Sequence, residues 1–372
     1  MVVATNIAEV SITIEGIIFV IDAGFFKQNE YNPQAHLSSL RPINITRVQA
    51  RQRAGRVGRT QPGVVYRLYT ERVYKRMKRN LRPEILRCNL ESMVMTLAAH
   101  KVQEFEKFHF MDRPKSEYIQ KAMIALQELG ALDLQRNELT PAGLLMARMS
   151  LEPRLAKTLL TSVDLGCTEE MLTVVSIISA NCSGKRVFYK LDKTLVNAPK
   201  SVLEAGDHVA LIEAYKIVSN KSRNWCYWNA VNFFGVQEVL SIRNQLAYVL
   251  RNFCGAPPPS RSYQAIDAEK IYKCVLSGFF CNIAQKADPE KGVGAAYRRY
   301  PNKKKNGSVY IHPASILFRV SCPDWVMYQE VVQNKSVPYM RNVIPCKPEW
   351  IQELVPEFYR KFQQAFPPAP AK

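Results

Sequence analysis

Several features that would narrow the function of a chain are missing here. Nine cysteines, at 88, 167, 182, 226, 254, 274, 281, 322 and 346, include no Cys-x-x-Cys pair and have no histidine beside them. That spacing argues against zinc sites and a disulfide framework, and it reads as reduced thiols in a cytosolic or nuclear protein. No secretory signal is read in these residues, in keeping with that expectation. The most apolar run, residues 12–21, is interrupted by Glu15 and is too short to span a bilayer, so no membrane partner is expected. No Gly-x-x-x-x-Gly-Lys-Ser/Thr loop occurs that could wrap a triphosphate. Acid is scarce as well, with 32 Asp and Glu against 51 Lys and Arg.

What is present is a chain of 372 residues, 47% hydrophobic, enough for two or three domains with real cores. The formal charge of +19 is dispersed through folded-looking sequence rather than gathered in a tail. A basic excess of this kind favours a polyanionic partner, and nucleic acid is preferred over an anionic membrane.

Patterning separates four regions. Residues 1–80 alternate strand-like runs (17–22, 25–31, 37–43 and 64–69) with a basic helix over 51–58, which is α/β patterning. Asn32-Pro33 marks the turn of a projecting β-hairpin. Met1–Ala4 reads as a buried strand, so the lobe is expected to be incomplete. From 81 to 150 the period becomes helical, with Asn89, Ser116 and Thr140-Pro141 as helix starts, Gly130 as a stop and a small strand pair between helices. This suits a winged helix, with a plain helical bundle as the alternative. Residues 151–255 stay helical, with Gly166 ending one helix and Thr168-Glu169-Glu170 opening the next. The run 256–260, Ala-Pro-Pro-Pro-Ser, is a linker. Beyond it, strands are expected over 275–283, 309–312, 325–332 and 340–344, as a small β-barrel. Lys303, Lys304 and Lys305 fall in a basic turn, and a final helix over 350–362 leads into a Pro-rich tail.

The segment richest in chemistry is Gln52-Arg53-Ala54-Gly55-Arg56-Val57-Gly58-Arg59. Arginines three apart on a helix share a side, and a guanidinium offers a planar fork of donors to phosphate oxygens at any pH. Aimed at a nucleotide, such a helix stabilises the charge of phosphoryl transfer. Taken alone, it is equally a solvated basic helix.

It has a companion in Ala4-Thr5-Asn6-Ile7-Ala8-Glu9-Val10-Ser11-Ile12-Thr13-Ile14-Glu15-Gly16. Together the two resemble motifs V and VI of the DEAH-box RNA helicases of superfamily two. The family pattern ATNIAETSLTIDG is met except at Val10, Ile12 and Glu15, and QRAGRAGR except at Val57. The strand Val20–Phe25, followed by Lys27-Gln28 and Tyr31-Asn32-Pro33, resembles the family strand and its strand-separating hairpin. Downstream, Ala131-Leu132-Asp133 resembles the winged helix. Gly206-Asp207-His208, Trp225-Cys226 and Arg243-Asn244-Gln245-Leu246 resemble the ratchet-like domain. Ser277-Gly278-Phe279-Phe280 and Tyr310-Ile311-His312-Pro313 resemble the OB-fold.

The resemblance implies an α/β plus α plus β multidomain chain. Its parts are the end of a second RecA-like lobe (1–80), a winged helix (81–150), a helical ratchet-like domain (151–255), an OB-fold (263–350) and a C-terminal helix and tail (351–372). It implies that Gln52, Arg56 and Arg59 reach the γ-phosphate and attacking water, that Thr13 and Glu15 approach the nucleotide, and that Thr5 and Asn6 hold RNA. The cofactors implied are ATP and Mg²⁺, with the Mg²⁺ ligands on a first RecA-like lobe. Neither a phosphate loop nor Asp-Glu-Ala-His occurs in the sequence, so these residues by themselves are expected not to hydrolyse ATP. Implied partners are RNA, that first lobe, and a glycine-patch activator or RNP complex, in the nucleus or also the cytoplasm. The alternative is a non-catalytic RNA- or cofactor-binding module derived from a helicase. Where the family carries an arginine ahead of Arg243, this chain has Phe233-Phe234-Gly235. Bland roles are expected for His312 (a local hydrogen bond at a strand end), for Trp225 and Trp228 (core), and for Tyr310 (barrel core).

Overall fold

The computed structural model describes residues 1–10, 14–32, 37–58, 61–255, 266–287, 295–301, 308–334 and 337–366. These divide into two compact units, one of residues 1–88 with 110–114, the other of 89–109 with 115–372.

In the first unit, β1 (Phe19–Asp22) lies parallel to β4 (Val64–Arg67). Between them in sequence come a long hairpin, β2 (Phe25–Asn32) and β3 (Leu37–Asn44), and a helix over Arg47–Ala54. The hairpin is antiparallel in continuous register from Phe25↔Asn44 to Asn32↔Leu37, as the sequence predicts, and its turn residues 33–36 lie outside the described residues. The chain leaves β1 through Gly24, whose φ of +80° suits glycine. A Cβ there would also lie 2.6 Å from the Tyr69 ring.

Two expectations for this unit need correction. Met1–Ala4 is exposed and forms no strand. A strand is held by its neighbour's backbone, and β1 takes β4 instead. The basic helix is set earlier than expected, at Arg47–Ala54 rather than 51–58. Thr46 and Gln49 form a reciprocal capping box that fixes its start. At its end the Gly55 N–H closes onto the Arg51 carbonyl at 2.8 Å, and Gly58 is left-handed.

The second unit begins with helices over Glu91–Ala99, Ser116–Glu128 and Pro141–Arg148, with β5 (Leu132–Asp133) and β6 (Glu138–Leu139) paired between the last two. Thr140 caps with Pro141 at the first helical position, accepting the Gly143 N–H at 3.0 Å. Ser116 is itself the first helical residue, one place later than a cap. Asn89 stands just outside its helix but still accepts the Glu91 N–H at 3.0 Å. Helices over Pro153–Leu165, Thr168–Cys182, Asp207–Val218, Arg223–Trp228 and Phe233–Cys254 follow. Gly166 ends the first of these in the left-handed conformation. Ile177, Ala210, Ala214, Tyr215, Val236 and Val239 are buried at the centre of the helical core.

The apolar stretch 275–283, expected as a strand, is mostly helix, Ala268–Phe279. Asp267 caps it, and Ile271, Cys274, Val275 and Gly278 recur at helical spacing on its buried side. Gly278 lets it cross another helix at backbone distance, since a Cβ would meet the Arg154 carbonyl at 2.2 Å. Seven strands then form one sheet: β7 (Ile283–Lys286), β8 (Ala296–Arg299), β9 (Ser308–Ile311), β10 (Trp325–Met327), β11 (Glu330–Asn334), β12 (Val337–Arg341) and β13 (Ile344–Pro345). Their order is β11-β12-β9-β8-β7-β10-β13, antiparallel except for β12 beside β9. The single strand expected over 325–332 is two strands, and the final helix breaks before Pro356 into Pro348–Leu354 and Pro356–Ala365. The linker 256–260 and the lysines 303–305 lie outside the described residues.

Asp207 joins the helical region to the sheet. Its carboxylate accepts the Ser315 hydroxyl (2.9 Å) and the N–H groups of Ile316 (2.8 Å) and Val343 (2.7 Å). His312 accepts the Ala314 N–H at 3.0 Å, the local bond expected of it. Tyr310 is half-buried. Trp225 packs partly against the helical core, but Trp228 is 79% exposed, against expectation. No helix among the described residues is long and apolar enough to cross a membrane.

Candidate functional site

The two motif segments meet in the first unit through Arg53. Its Nε donates to Glu9 Oε1 at 2.7 Å, one terminal nitrogen lies 2.8 Å from Asp22 Oδ1, and the other donates to the Phe25 carbonyl at 3.2 Å. Asp22 further accepts the Gly24 N–H at 3.0 Å and the Tyr69 hydroxyl at 2.8 Å. Glu9 takes a bond from Gln49 Nε2 at 3.3 Å. Burial, then the bond to Asp22, pushes the Tyr69 phenol well above its ordinary range. The Asp22 side chain is fully enclosed and that of Arg53 is 16% exposed. Two carboxylates withdrawn from water are therefore matched by one guanidinium and neutral donors.

This network ties four pieces of chain together: the short helix Ile7–Val10, the end of β1, the helix Arg47–Ala54 and the segment after β4. The helix is held at its other end too. Arg47 Nε donates to the Met77 carbonyl at 3.0 Å, and Ile45, Ala50 and Met77 form a small buried cluster.

The residues singled out in the sequence fall around this frame. Gln52 is half-buried in the last helical turn. Arg56 is half-buried in the following turn, with Nε 3.4 Å from the Gln52 carbonyl. The structure thus brings Gln52 and Arg56 together, but across a helix end and not along one helix face. Thr5 and Asn6 are exposed, and their carbonyls accept the first N–H groups of the helix that carries Glu9. Glu15 is exposed at a turn before Gly16. Thr13 and Arg59 lie outside the described residues.

Neither the motif resemblance nor the residue spacing assigns an individual role to Glu9, Asp22, Gln49, Arg53 or Tyr69. A signal was available: Glu9 and Asp22 are acids set in apolar sequence, and buried acids demand a cation. The same two acids do not fit Mg²⁺, because Arg53 and Tyr69 already occupy them. Among the described residues no group of three or more His, Cys, Asp or Glu could hold a metal ion. In the second unit, Arg243 is likewise spent within the fold, pairing with Glu169 and donating to Thr173 Oγ1 at 3.2 Å.

Residues 152–211 match the family model of the helicase associated domain (HA2), ratchet-like, and residues 271–359 match that of the oligonucleotide/oligosaccharide-binding (OB)-fold. The chain is 34% identical over 98% of its length to a probable ATP-dependent RNA helicase, DHX35, of Pongo abelii, covering 49% of that protein. It is 34% identical over 97% of its length to the Homo sapiens DHX35, covering 50% of it. It is 36% identical over 97% of its length to the pre-mRNA-splicing factor ATP-dependent RNA helicase prp22 of Schizosaccharomyces pombe, covering 30% of that protein. The chain thus spans half or less of the curated relatives it matches. With matches to both domain models and to these helicases along nearly its whole length, the chain is similar to the C-terminal part of DEAH-box RNA helicases.

Proposed function

We propose that this chain forms the C-terminal part of an ATP-dependent RNA helicase that couples ATP hydrolysis to 3′–5′ translocation along RNA and to RNA or RNP remodelling. In this reading residues 1–80 end the second RecA-like lobe, 81–150 form a winged helix, 151–255 the ratchet-like domain, 263–350 the OB-fold and 351–372 a terminal helix and tail. The observation that carries it is the mounting of Gln52 and Arg56. Arg53, between them in sequence, ties their stretch of backbone to Glu9 and Asp22, which supports a preorganised placement.

A triphosphate and its Mg²⁺ would be held by a first RecA-like lobe. Gln52 would orient the attacking water, and Arg56 and Arg59 would balance charge building on the γ-phosphate. Arg59 acts as the arginine finger, while Thr13 and Glu15 approach the nucleotide. The exposed pair Thr5 and Asn6 offers neutral donors to RNA backbone, which lets the strand slide. Residues 1–372 by themselves are ATPase-inactive, because they hold the charge-stabilising arginines without a phosphate loop. A nuclear role with RNA, a glycine-patch protein or an RNP complex as partners is supported by the splicing-factor name of the S. pombe relative and by the +19 charge.

The test is RNA-stimulated ATP turnover by the protein carrying both lobes. Arg56→Ala and Arg59→Ala should each lower it by about a hundredfold or more with ATP binding retained. Unchanged turnover in both would end this reading, and turnover by residues 1–372 alone would refute the predicted inactivity.

A further inference from the structure

Tyr69 lies outside both motif segments, just past β4, yet its hydroxyl reaches the centre of the network around Arg53, donating to Asp22 Oδ2 at 2.8 Å. The tyrosine is itself held in place. On one side the Leu68 N–H donates to the Asp22 carbonyl at 2.9 Å, and on the other Thr70 caps the helix Glu71–Arg76. The ring packs against the buried cluster of Ile45, Ala50 and Met77 and lies directly over Gly24. With its phenol raised by burial and by Asp22, Tyr69 stays a donor throughout the neutral range.

The two oxygens of Asp22 divide their work. Oδ1 accepts the Gly24 N–H at 3.0 Å and the Arg53 guanidinium at 2.8 Å. Among the described residues, Oδ2 accepts from Tyr69 alone. The carboxylate is fully enclosed, and an enclosed oxygen without a donor is costly. Loss of the hydroxyl would therefore turn the carboxylate toward its other donors and out of line with Arg53. Arg53 directly follows Gln52, and its carbonyl accepts the Arg56 N–H at 3.1 Å, so it shares its backbone with both residues assigned to the phosphate.

We propose that Tyr69 is a positioning residue for phosphoryl transfer: by holding Oδ2 of Asp22 it keeps Oδ1 in line with Arg53, and through Arg53 it sets where Gln52 and Arg56 stand. The inference rests on the nucleotide reading above and adds to it a residue from outside the two motifs. The hydroxyl is spent on Asp22 and acts only through it. Its effect therefore falls on the rate of the chemical step and not on ATP binding.

The test is a double-mutant cycle in the protein carrying both lobes. Tyr69→Phe keeps the ring and removes the hydroxyl alone. It should lower RNA-stimulated kcat by about tenfold, with the KM for ATP within about twofold of the parent. In an Arg56→Ala background, followed by single-turnover hydrolysis, the same change should lower the remaining rate by less than about threefold, because part of what the hydroxyl places is already gone. A loss of equal size in both backgrounds would mark a merely structural contribution and overturn the proposal. Parent-like kcat in folded Tyr69→Phe, with Arg56→Ala impaired, would overturn it too, and the nucleotide reading would survive either result. Arg56→Ala without effect would sink both. Melting points check folding, and Tyr69→Met, also apolar and without a hydroxyl, repeats the cycle should Tyr69→Phe unfold.

Discussion

The Arg56 amide donates to the Arg53 carbonyl at 3.1 Å, so two arginines of one motif share a turn while their side chains serve different ends. Arg53 is consumed by Glu9 and Asp22. Arg56 rides on the frame that Arg53 holds.

The contrast yields a first prediction. Arg53→Ala strands two enclosed carboxylates and should destabilise the first unit by about 3 kcal/mol or more. Arg56→Ala should change stability by less than about 1 kcal/mol. Urea unfolding of both variants checks this, and equal midpoints would show that Arg53 is no anchor.

Close approach gives a second. A Cβ on Gly143 would lie 2.0 Å from the Ala131 carbonyl, and one on Gly278 would lie 2.2 Å from that of Arg154. Backbone cannot move aside as a flexible side chain can, so Gly143→Ala and Gly278→Ala should each cost about 2 kcal/mol or more. Gly184→Ala, with open space around its position, is a control for overpacking and carries only its left-handed backbone strain. Thermal midpoints rank the three.

The third concerns acid. His208 is fully buried, neither ring nitrogen has a partner among the described residues, and burial pushes its imidazole down to about 3. The folded chain therefore keeps it neutral while the unfolded chain protonates it near 6.5. The histidine's contribution to stability must therefore fall as pH drops through that window, on the order of 1 kcal/mol per pH unit. Asp207 beside it acts with opposite sign, because burial pushes its carboxyl up to about 6 against the pull of its three donors. His208→Leu isolates the histidine: the stability difference between variant and parent should move in the variant's favour as pH falls from 6 to 4, by on the order of 1 kcal/mol per pH unit. Parallel curves would refute the assignment.

The fourth concerns the joint. Asp207→Ala leaves the N–H groups of Ile316 and Val343 and the Ser315 hydroxyl without their acceptor, and should cost about 3 kcal/mol. Asp207→Asn keeps the shape but turns an N–H toward a donor, so it should recover only part. Guanidinium unfolding of the two distinguishes lost packing from lost acceptors.

Local chemistry was legible in the sequence and distant pairing was not. Thr140-Pro141, Gly166 and the hairpin before Pro33 were readable because cap, stop and turn depend on adjacent residues. The stretch 275–283 misled because a short apolar run suits a buried strand and a buried helix alike. Arg53 escaped notice because its partners lie 44 and 31 residues away, and periodicity carries no trace of them. Trp228 was assigned to core by residue type, yet its helix is anchored by Cys226 instead.

Asp207 also bears on how this polypeptide can be divided. Its three donors come from two separate stretches of the sheet domain, while Asp207 itself opens a helix on the far side of residues 256–265. Cutting the gene there to study either piece would leave one fragment with a naked buried anion and the other with three orphaned donors. The helical and sheet portions are interlocked like mortise and tenon, and they should be produced, and moved by any motor, as one block.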